Sequence, residues 1–520
     1  FITGSSWLTG PGFLGLRQLV REVCDEAWVL DLGGDNYGAN PEENVFAIET
    51  PVSVVILSRR STKERKQAAI VHYRRVHGTR DEKLAAMQTI ADSDNPLGGA
   101  WDTAPFDPYA PFVPLTGGTE WMDMPKLADL FPWQQPGCKY GRTWPIATTA
   151  ETLTLRWEAF VSAPVVSKPA LFVTAKTGRN VTTKVPGYAV LNTLTAGAEA
   201  QPVIRYAYRS FDRQWTYVDP RLAKTESPSL WSTRSKSQVY FAAPMTARPS
   251  EGPILTVSFD VPDLHYYNGR GGKDIIPLYR DKEARFANVT EGLPKHLCKT
   301  LGIEQPSPED IAAYVYALLS SGRYQQRFAE GLKNPGPRVP LTTDPDLWKE
   351  AVSLGRELLW LHSWAERFHE PSEGRGNKLP HVKGLGWKLP VTKMPQTSQD
   401  ISFDKGKQQL CVGDGIVTGV SADVWNYAVS GMQVVPKWLG YRTAKGSGRA
   451  ASSANPLDKI RPTAWVDEWN DELLDLLRLL TATIDLQSKQ AELLDKICGG
   501  SLIPGSDLPK PTALQRKPPK

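Results

Sequence analysis

The sequence is poor in cysteine and has no long apolar run. Its five cysteines, Cys24, Cys138, Cys298, Cys411 and Cys498, are scattered, without a C-x-x-C pair or a histidine at zinc-ligand spacing. This pattern argues against a disulfide framework and a metal site, and it fits a reducing cytoplasm. No stretch approaches the ~18–20 apolar residues that cross a bilayer, and the first residues lack the order of a secretion signal. We therefore expect a soluble, cytoplasmic protein without a bound metal.

Glycine loops that hold nucleotide cofactors are also missing. "GSGRAA", residues 446–451, has the spacing of a dinucleotide loop but no strand before it and no helix after it. "GRGGK", residues 269–273, resembles a phosphate loop, yet Tyr267 replaces its first glycine and Asp274 its final Ser or Thr. We expect both segments to be loops without a bound nucleotide.

Size and composition indicate several soluble domains. The 520 residues can form two to four cores, since single cores stop growing near ~250–300 residues. Hydrophobic residues make up 41% and charged residues 22%, which is ordinary for a globular protein, and the net charge of +5 is modest. The chain starts without methionine at "FIT", which reads as the inside of a strand, so we expect it to be part of a longer chain.

Residues 1–90 alternate strand and helix. "FITG", "AWVLDLGG", "NVFAI" and "VSVVIL" read as strands, and "FLGLRQLVREVC" has helical spacing. This predicts the C-terminal half of a Rossmann-like α/β sheet. Residues 59–76 are expected to form a hairpin at its edge, and residues 81–90 a short helix. The Pro-, Gly- and Asp-rich residues 91–126 are predicted to be a connector.

The remainder predicts a mixed β-rich and helical region, so that the whole chain is an α/β and β-rich (α+β) multidomain protein. Residues 127–300 carry "LTLRWEAFV", "VIRYAYRSFDRQWTYVD", "SQVYFAAP" and "ILTVSF", interpreted as antiparallel strands. Residues 301–370 are helical, with Ser307 as N-cap and Asp310 reaching back to it. Residues 371–400 read as a linker, 401–500 as a small element followed by a helical pair, and 501–520 as a disordered tail.

Eight segments carry a resemblance to one family. "FITGSSWLTGPGFLGLRQLVREVCDEAWVLDLGGDN" with "NVFAIETPVSVVIL" is similar to the segment after the catalytic loop of adenine-specific DNA methyltransferases, in particular those of type ISP (single-polypeptide) restriction-modification enzymes. The other six resemble the C-terminal specificity, or target-recognition, domain of that group: "DLFPWQQPGCKYGRTWPI", "SFDRQWTYVDPRLAKTESPSLW", "VPDLHYYNGRGGKDIIPLYRD", "YVYALLSSGRYQQRFAEGL", "LGRELLWLHSWAERF" and "VSGMQVVPKWLGYR". The resemblance covers nearly the whole chain in order.

The resemblance implies a site-specific methyltransferase that moves a methyl group from S-adenosylmethionine to adenine in double-stranded DNA, within a restriction or phage-defence system. It implies that Phe46 stacks on the extruded adenine, since an aromatic face restores stacking that a flipped base has lost. The family's Asn/Asp-Pro-Pro-aromatic loop is absent, because the sole Pro-Pro pair is Pro518-Pro519. That loop and the cofactor site are expected upstream of Phe1. The sequence leaves open whether nuclease or helicase domains also precede it, and other restriction or defence subunits are further candidate partners.

Cationic side chains predict where DNA would bind. Arginine can grip guanine edges and phosphates, and interleaved aromatics can pack on sugars or bases. The predicted DNA-binding residues are Arg59, Arg60, Lys63, Arg74, Arg75, Arg205, Arg209, Arg213, Arg221, Arg270, Lys273, Arg280, Lys437 and Arg442. These residues also have structural interpretations. Those between Arg59 and Arg75 could guard an edge strand with charge. Those between Arg205 and Arg221 could pair with Asp212 and Asp219 in a β-domain core, and Arg270 and Lys273 could be solvated on a glycine turn.

Two other functions remain open at this point. The chain could be a DNA-binding specificity module without catalysis, whose methyltransferase-like part is only a scaffold. A carbohydrate-binding β protein would explain the Trp and Tyr content but not the interleaved arginines. His362 is expected to lie in a helical core as a hydrogen-bonded group.

Overall fold

The computed structural model describes residues 1–34, 42–60, 68–107, 110–114, 118–173, 178–224, 227–245, 252–267, 274–334 and 336–519. Within these ranges no helix combines the length and the apolarity needed to cross a membrane. The five cysteines are free thiols.

A five-stranded sheet opens the chain. Its order is β1-β3-β2-β4-β5, and β2 pairs parallel with β4 and antiparallel with β3. The parallel pair and the flanking helices match the predicted half of an α/β sheet. The elements are β1 Ile2–Gly4, α1 Ser6–Thr9, α2 Leu14–Val23, β2 Glu26–Gly33, β3 Val52–Ser58, β4 Ile70–Arg75, α3 Arg80–Ala91 and β5 Asp102–Thr103.

Two local predictions for this sheet were wrong. The hairpin expected over residues 59–76 is not formed among the described residues, because β3 and β4 lie on opposite sides of β2. The apolar β2 is buried almost throughout and takes the central position. "NVFAI" is not a strand either. The side chain of Asn44 is bonded to the amide of Phe46 and to the carbonyl of Thr50. In a strand, these two backbone groups would instead be free to bond to a neighbouring strand.

The first unit extends past the predicted boundary at residue 90. Ala104 and the fully buried Phe112 pack in its core with Val29 and Val55. The strand β5, from the predicted connector, pairs with β4. The remaining large apolar clusters begin at residue 121 and later, so residues 1–114 form a core of their own.

The β-rich region contains two small sheets, β7-β9-β8 and β11-β10-β12-β6. Three of its predicted strand segments are confirmed: "VIRYAYRSFDRQWTYVD" forms β8 and β9, "SQVYFAAP" contains β10, and "ILTVSF" contains β11. "LTLRWEAFV" was misread as a strand and is the helix α6, because Thr149 caps it and Leu153, Trp157 and Phe160 recur on one buried face. The elements are α4 Gly118–Asp123, α5 Leu127–Leu130, β6 Gln135–Pro136, β7 Ile146–Ala147, α6 Ala150–Ser162, α7 Lys168–Phe172, β8 Val203–Arg209, β9 Asp212–Tyr217, α8 Pro228–Ser232, β10 Tyr240–Ala243, β11 Thr256–Ser258 and β12 Asp274–Pro277.

The helical region follows the predicted pattern. Ser307 and Asp310 form the expected capping box at the start of α10. His362 ends α12 inside the core, bonded to the hydroxyls of Tyr316 and Thr483, as predicted. The helices are α9 Leu293–Leu301, α10 Pro308–Leu319, α11 Gly322–Arg327 and α12 Pro345–His362.

The C-terminal part differs from its prediction in three ways. The supposed linker supplies β13, which pairs with β16, and the predicted helical pair is the single 32-residue helix α16. No glycine or proline interrupts the apolar stripe of α16 before Gly499. The described part of the tail, up to residue 519, is packed on the protein: Ile503 and Leu508 are buried in the main helical core, and Arg516 pairs with Asp129. The elements are β13 Gly386–Leu389, β14 Ile401–Asp404, β15 Gln409–Val412, β16 Gly415–Thr418, α13 Ala422–Asn426, β17 Ala428–Val429, β18 Met432–Gln433, α14 Val434–Tyr441, α15 Pro456–Lys459 and α16 Glu468–Gly499.

Candidate nucleic-acid interface

Phe46 lies on an exposed turn between β2 and β3. Its side chain is 42% exposed, and Ile48, two residues on, is 46% exposed. The amide of Phe46 donates to Oδ1 of Asn44 at 2.9 Å. The turn therefore presents an aromatic side chain to solvent while its backbone is held, which is what stacking on an unpaired base requires.

An ion-pair network adjoins this turn. Arg75 on β4 lies 2.5 Å from Asp31 and 2.6 Å from Glu42, and the buried Lys83 lies 3.0 Å from Glu42. Burial disfavours the charge of Arg75, but Asp31 and then Glu42 raise its pKa above the usual value. Tyr73 also donates to Asp31 at 2.8 Å. Arg75, a predicted DNA contact, is thus engaged by two carboxylates of the protein.

The predicted cations near β3 and β4 differ in exposure. Arg59 and Arg60 follow the end of β3 and are exposed, and Arg60 lies 3.2 Å from Glu26. Arg74 on β4 is half-buried. Lys63 lies outside the described residues. A surface ion pair such as that of Arg60 is weak, so its guanidinium can exchange the carboxylate for a phosphate.

Each predicted arginine of the hairpin β8–β9 has a carboxylate partner. The pairs are Arg205 with Glu472 at 2.5 Å, Arg209 with Asp263 at 3.1 Å and Arg213 with Glu366 at 2.7 Å. Each guanidinium also lies over an aromatic ring, namely Trp215 for Arg205, Tyr208 for Arg209 and Trp364 for Arg213. The three arginines therefore have acidic partners, but Asp212, which the structural interpretation had named, is not one of them.

Arg221 and Arg442 are part of the interior. Arg221 pairs with Asp219 at 2.7 Å, as the structural interpretation predicted. Arg442 is fully buried, lies 3.0 Å from Asp212 and stacks 3.6 Å over the ring of Trp438. These two guanidinium groups contribute little surface that DNA could reach.

The remaining predicted contacts are dispersed. Arg280 donates to the backbone carbonyl of Gln515 at 2.9 Å and also to that of Lys517. Lys437 lies 5.1 Å from the ring centre of Tyr441, and burial lowers the pKa of its amine. Arg270 and Lys273 lie outside the described residues.

A cavity of about 230 Å³ lies between the hairpin and α16, beside the ion pair of Arg205 and Glu472. Arg205, Arg213 and Trp364 form part of its lining. The opposite lining is an acidic stripe of α16 formed by Glu468, Asp471, Glu472 and Asp475. This stripe was not predicted from the sequence. Its spacing of three and four residues, which places the four on one helix face, could have indicated it.

The described residues offer no evident place for a metal or for the implied cofactor. No group of three or more His, Cys, Asp or Glu side chains among them could hold a metal ion. Asp31, at the end of β2, is a buried carboxylate of the α/β unit. It is already bound by Ser5, Tyr73 and Arg75. Among the described residues, we assign none to S-adenosylmethionine.

Residues 129–476 match the model of a protein family described as the Type ISP C-terminal specificity domain. Since this match covers well over half of the chain, the protein belongs to that family, as the sequence predicted. A search of curated proteins gave no match.

Solved structures share the fold over almost the whole chain. A cryoEM structure of a DrdV-DNA complex has a TM-score of 0.62 at 19% identity and covers 98% of this chain and 50% of that one. The ATP-dependent Type ISP restriction-modification enzyme LlaBIII bound to DNA has a TM-score of 0.61 at 16% identity, covering 97% and 33%. A nuclease-deletion mutant of the Type ISP enzyme LlaGI with a DNA substrate mimic has a TM-score of 0.56 at 16% identity, covering 95% and 38%. The chain thus spans between a third and a half of these proteins' length, and the likeness concerns the fold.

Proposed function

We propose that this chain is the DNA-recognition part of a Type ISP restriction-modification enzyme, joined to the end of its methyltransferase domain. The observation that carries the proposal is the family match over residues 129–476, preceded by the α/β unit of residues 1–114. The same fold occurs in three proteins solved with DNA or a DNA mimic, which supports double-stranded DNA as the partner.

In this proposal the parent enzyme methylates adenine, with S-adenosylmethionine supplying the methyl group. The cofactor and the Asn/Asp-Pro-Pro-aromatic loop would belong to polypeptide outside this chain. The contribution of residues 1–114 is Phe46, whose exposed ring would stack on the extruded adenine and fix its plane during transfer.

The apolar surface of α2 is consistent with a domain completed by further polypeptide. Leu14, Leu16, Leu19 and Val23 are exposed, whereas Arg17 and Arg21 face the interior and donate to backbone carbonyls. The helix thus exposes apolar side chains and buries charged ones. Leaving this surface in water would be unfavourable, because several large apolar side chains would remain solvated.

We retain most of the predicted DNA contacts, including Lys63, Arg270 and Lys273, which lie outside the described residues. Arg59, Arg60, Lys63 and Arg74 would touch phosphates beside the first unit. Arg205, Arg209, Arg213, Arg270, Lys273, Arg280 and Lys437 would serve the specificity domain, in several cases by leaving an acidic partner. We do not include Arg75 and Arg442, since each is bound by two carboxylates, or Arg221, which is buried together with Asp219.

A non-catalytic DNA-binding specificity module is the second candidate. It is favoured by the family match itself, which begins after the α/β unit. The test is methyl transfer by the parent enzyme carrying Phe46→Ala. Our proposal expects methyl transfer to fall much more than DNA affinity. An equal loss in both would remove the stacking role, and a parent protein that transfers no methyl group would favour the module.

A further inference from the structure

Asn44 is the buried residue on which the Phe46 turn depends. It is 5% exposed, and its side chain makes three hydrogen bonds. Nδ2 donates to the carbonyls of Gly34 and Thr50, each at 2.9 Å, and Oδ1 accepts from the amide of Phe46 at 2.9 Å. One amide group therefore joins the end of β2, the amide of Phe46 and the end of the turn.

The approach of Asn44 to Gly34 requires a glycine. Gly34 has a φ of +90°, and a Cβ there would lie 2.6 Å from the Asn44 side chain. The chain thus adopts a left-handed conformation at a point where no side chain would fit, and this brings the Gly34 carbonyl to the Asn44 amide.

The start of the turn is also anchored. Glu42 binds Arg75 and Lys83, and the amine of Lys83 donates to the carbonyl of Glu43 at 2.7 Å. The Glu43 carboxylate accepts from the amide of Arg80 at 2.9 Å. The residues before Asn44 are therefore fixed to β4 and α3, while Phe46 and Ile48 point into solvent.

We propose that Asn44 is a positioning residue that holds the ring of Phe46 where an extruded base can stack on it. This inference rests on the stacking role of Phe46 proposed above. An exposed aromatic side chain on a loose turn would have to be ordered during each encounter, whereas a turn fixed in advance avoids that cost. Asn44 would act only through Phe46, without touching the base.

The experiment is a double-mutant cycle in the parent enzyme, with Asn44→Ala, Phe46→Ala and the pair. The readouts are the single-turnover rate of methyl transfer, DNA affinity, and the fluorescence of 2-aminopurine at the target position of a duplex mapped by methylation sequencing. We expect Asn44→Ala to slow transfer by on the order of 10-fold with affinity unchanged within about 2-fold. The double variant should be no slower than Phe46→Ala alone, because Asn44 acts through the ring.

Asn455→Ala is the matched control. Oδ1 of Asn455 accepts from the amide two residues on, that of Leu457, and its Nδ2 donates to the carbonyl of Leu171. The Asn455→Ala substitution removes the same kind of side-chain-to-backbone hydrogen bonds, but far along the chain from Phe46. It should leave the rate of methyl transfer unchanged. If alanine at position 44 impairs folding, Asn44→Asp keeps the acceptor, loses both donors and permits the same cycle.

The outcomes separate the two proposals. Independent effects that multiply in the double variant, or a normal rate for Asn44→Ala beside a slow Phe46→Ala, would overturn the positioning role alone. A normal rate for Phe46→Ala would overturn the stacking role and the positioning role with it. Reduced 2-aminopurine quenching in Asn44→Ala, with slower transfer and non-additivity, would support both.

Discussion

The guanidinium of Arg442 lies 3.0 Å from the carboxylate of Asp212, and neither side chain is more than 3% exposed. Arg442 follows α14, whereas Asp212 opens β9. Glu472 on α16 lies 3.5 Å from the same guanidinium and also pairs with Arg205. One buried arginine therefore connects the β-rich region, the C-terminal sheet region and the long helix.

Replacing Arg442 by methionine should strongly destabilise the protein. The change leaves the Asp212 carboxylate buried without its partner, which costs about 3–5 kcal/mol in comparable cases. Urea unfolding of Arg442→Met would measure the loss. Arg478→Met is the control, because Arg478 pairs with Asp475 at the surface, where such pairs contribute about 0–1 kcal/mol. Similar stabilities for the two variants would show that the buried pair does not join these regions.

Acidification should destabilise the helical core through His362. Burial lowers the pKa of His362 from 6.5 to about 3. The folded protein therefore binds fewer protons than the unfolded chain, so the stability present above pH 6.5 declines as the pH falls and stops declining below about 3.

The variant that tests this is His362→Gln, whose side chain does not titrate but can keep hydrogen bonds to Tyr316 and Thr483. Between pH 7 and pH 5 it should lose about 2 kcal/mol less stability than the unaltered protein, since a group with an unfolded pKa near 6.5 gains its proton in that range. Unfolding by urea at both pH values gives the comparison. His381→Gln, at an exposed position, should behave like the unaltered protein. An identical pH dependence of stability in all three proteins would show that His362 is not the group responsible.

Removing the exposed charge of Arg60 should weaken DNA binding independently of sequence. A lost phosphate contact lowers affinity and reduces the slope of log K against log salt by about 1. Arg60→Gln would be titrated with duplex DNA at several salt concentrations. Arg285→Gln is the control, because Arg285 is 67% exposed against 70% for Arg60 and is also paired with an acid. Equal changes in both variants would indicate only an effect of net charge.

Sequence reasoning succeeded where the signal is local. The capping box of Ser307 and Asp310 spans four residues, and the hairpin β8–β9 shows its alternation within fifteen. It failed for α6, where an aromatic-rich stretch was assigned to a strand although Leu153, Trp157 and Phe160 have helical spacing. It also failed for the pairing of β4, expected in a hairpin over residues 59–76, because strand order depends on which strand is buried on both sides.

The partners of the arginines could not be read from the sequence. Arg205 and Glu472 are 267 residues apart, and Arg442 and Asp212 are 230 apart. Alternation of arginine and aromatic residues fits a DNA surface and a packed interior equally well, since guanidinium groups stack on rings in both. Only the fold decides that Arg221 and Arg442 are interior while Arg59 and Arg60 are exposed.

The central claim is that this chain recognises double-stranded DNA, and its most direct test is a salt titration of the chain itself. Affinity for a mixed-sequence duplex would be measured by fluorescence anisotropy between 50 and 200 mM salt. With several phosphate contacts, counterion release should lower the affinity by on the order of 100-fold or more over this range. An affinity that does not change with salt, or no binding at 50 mM, would contradict the account.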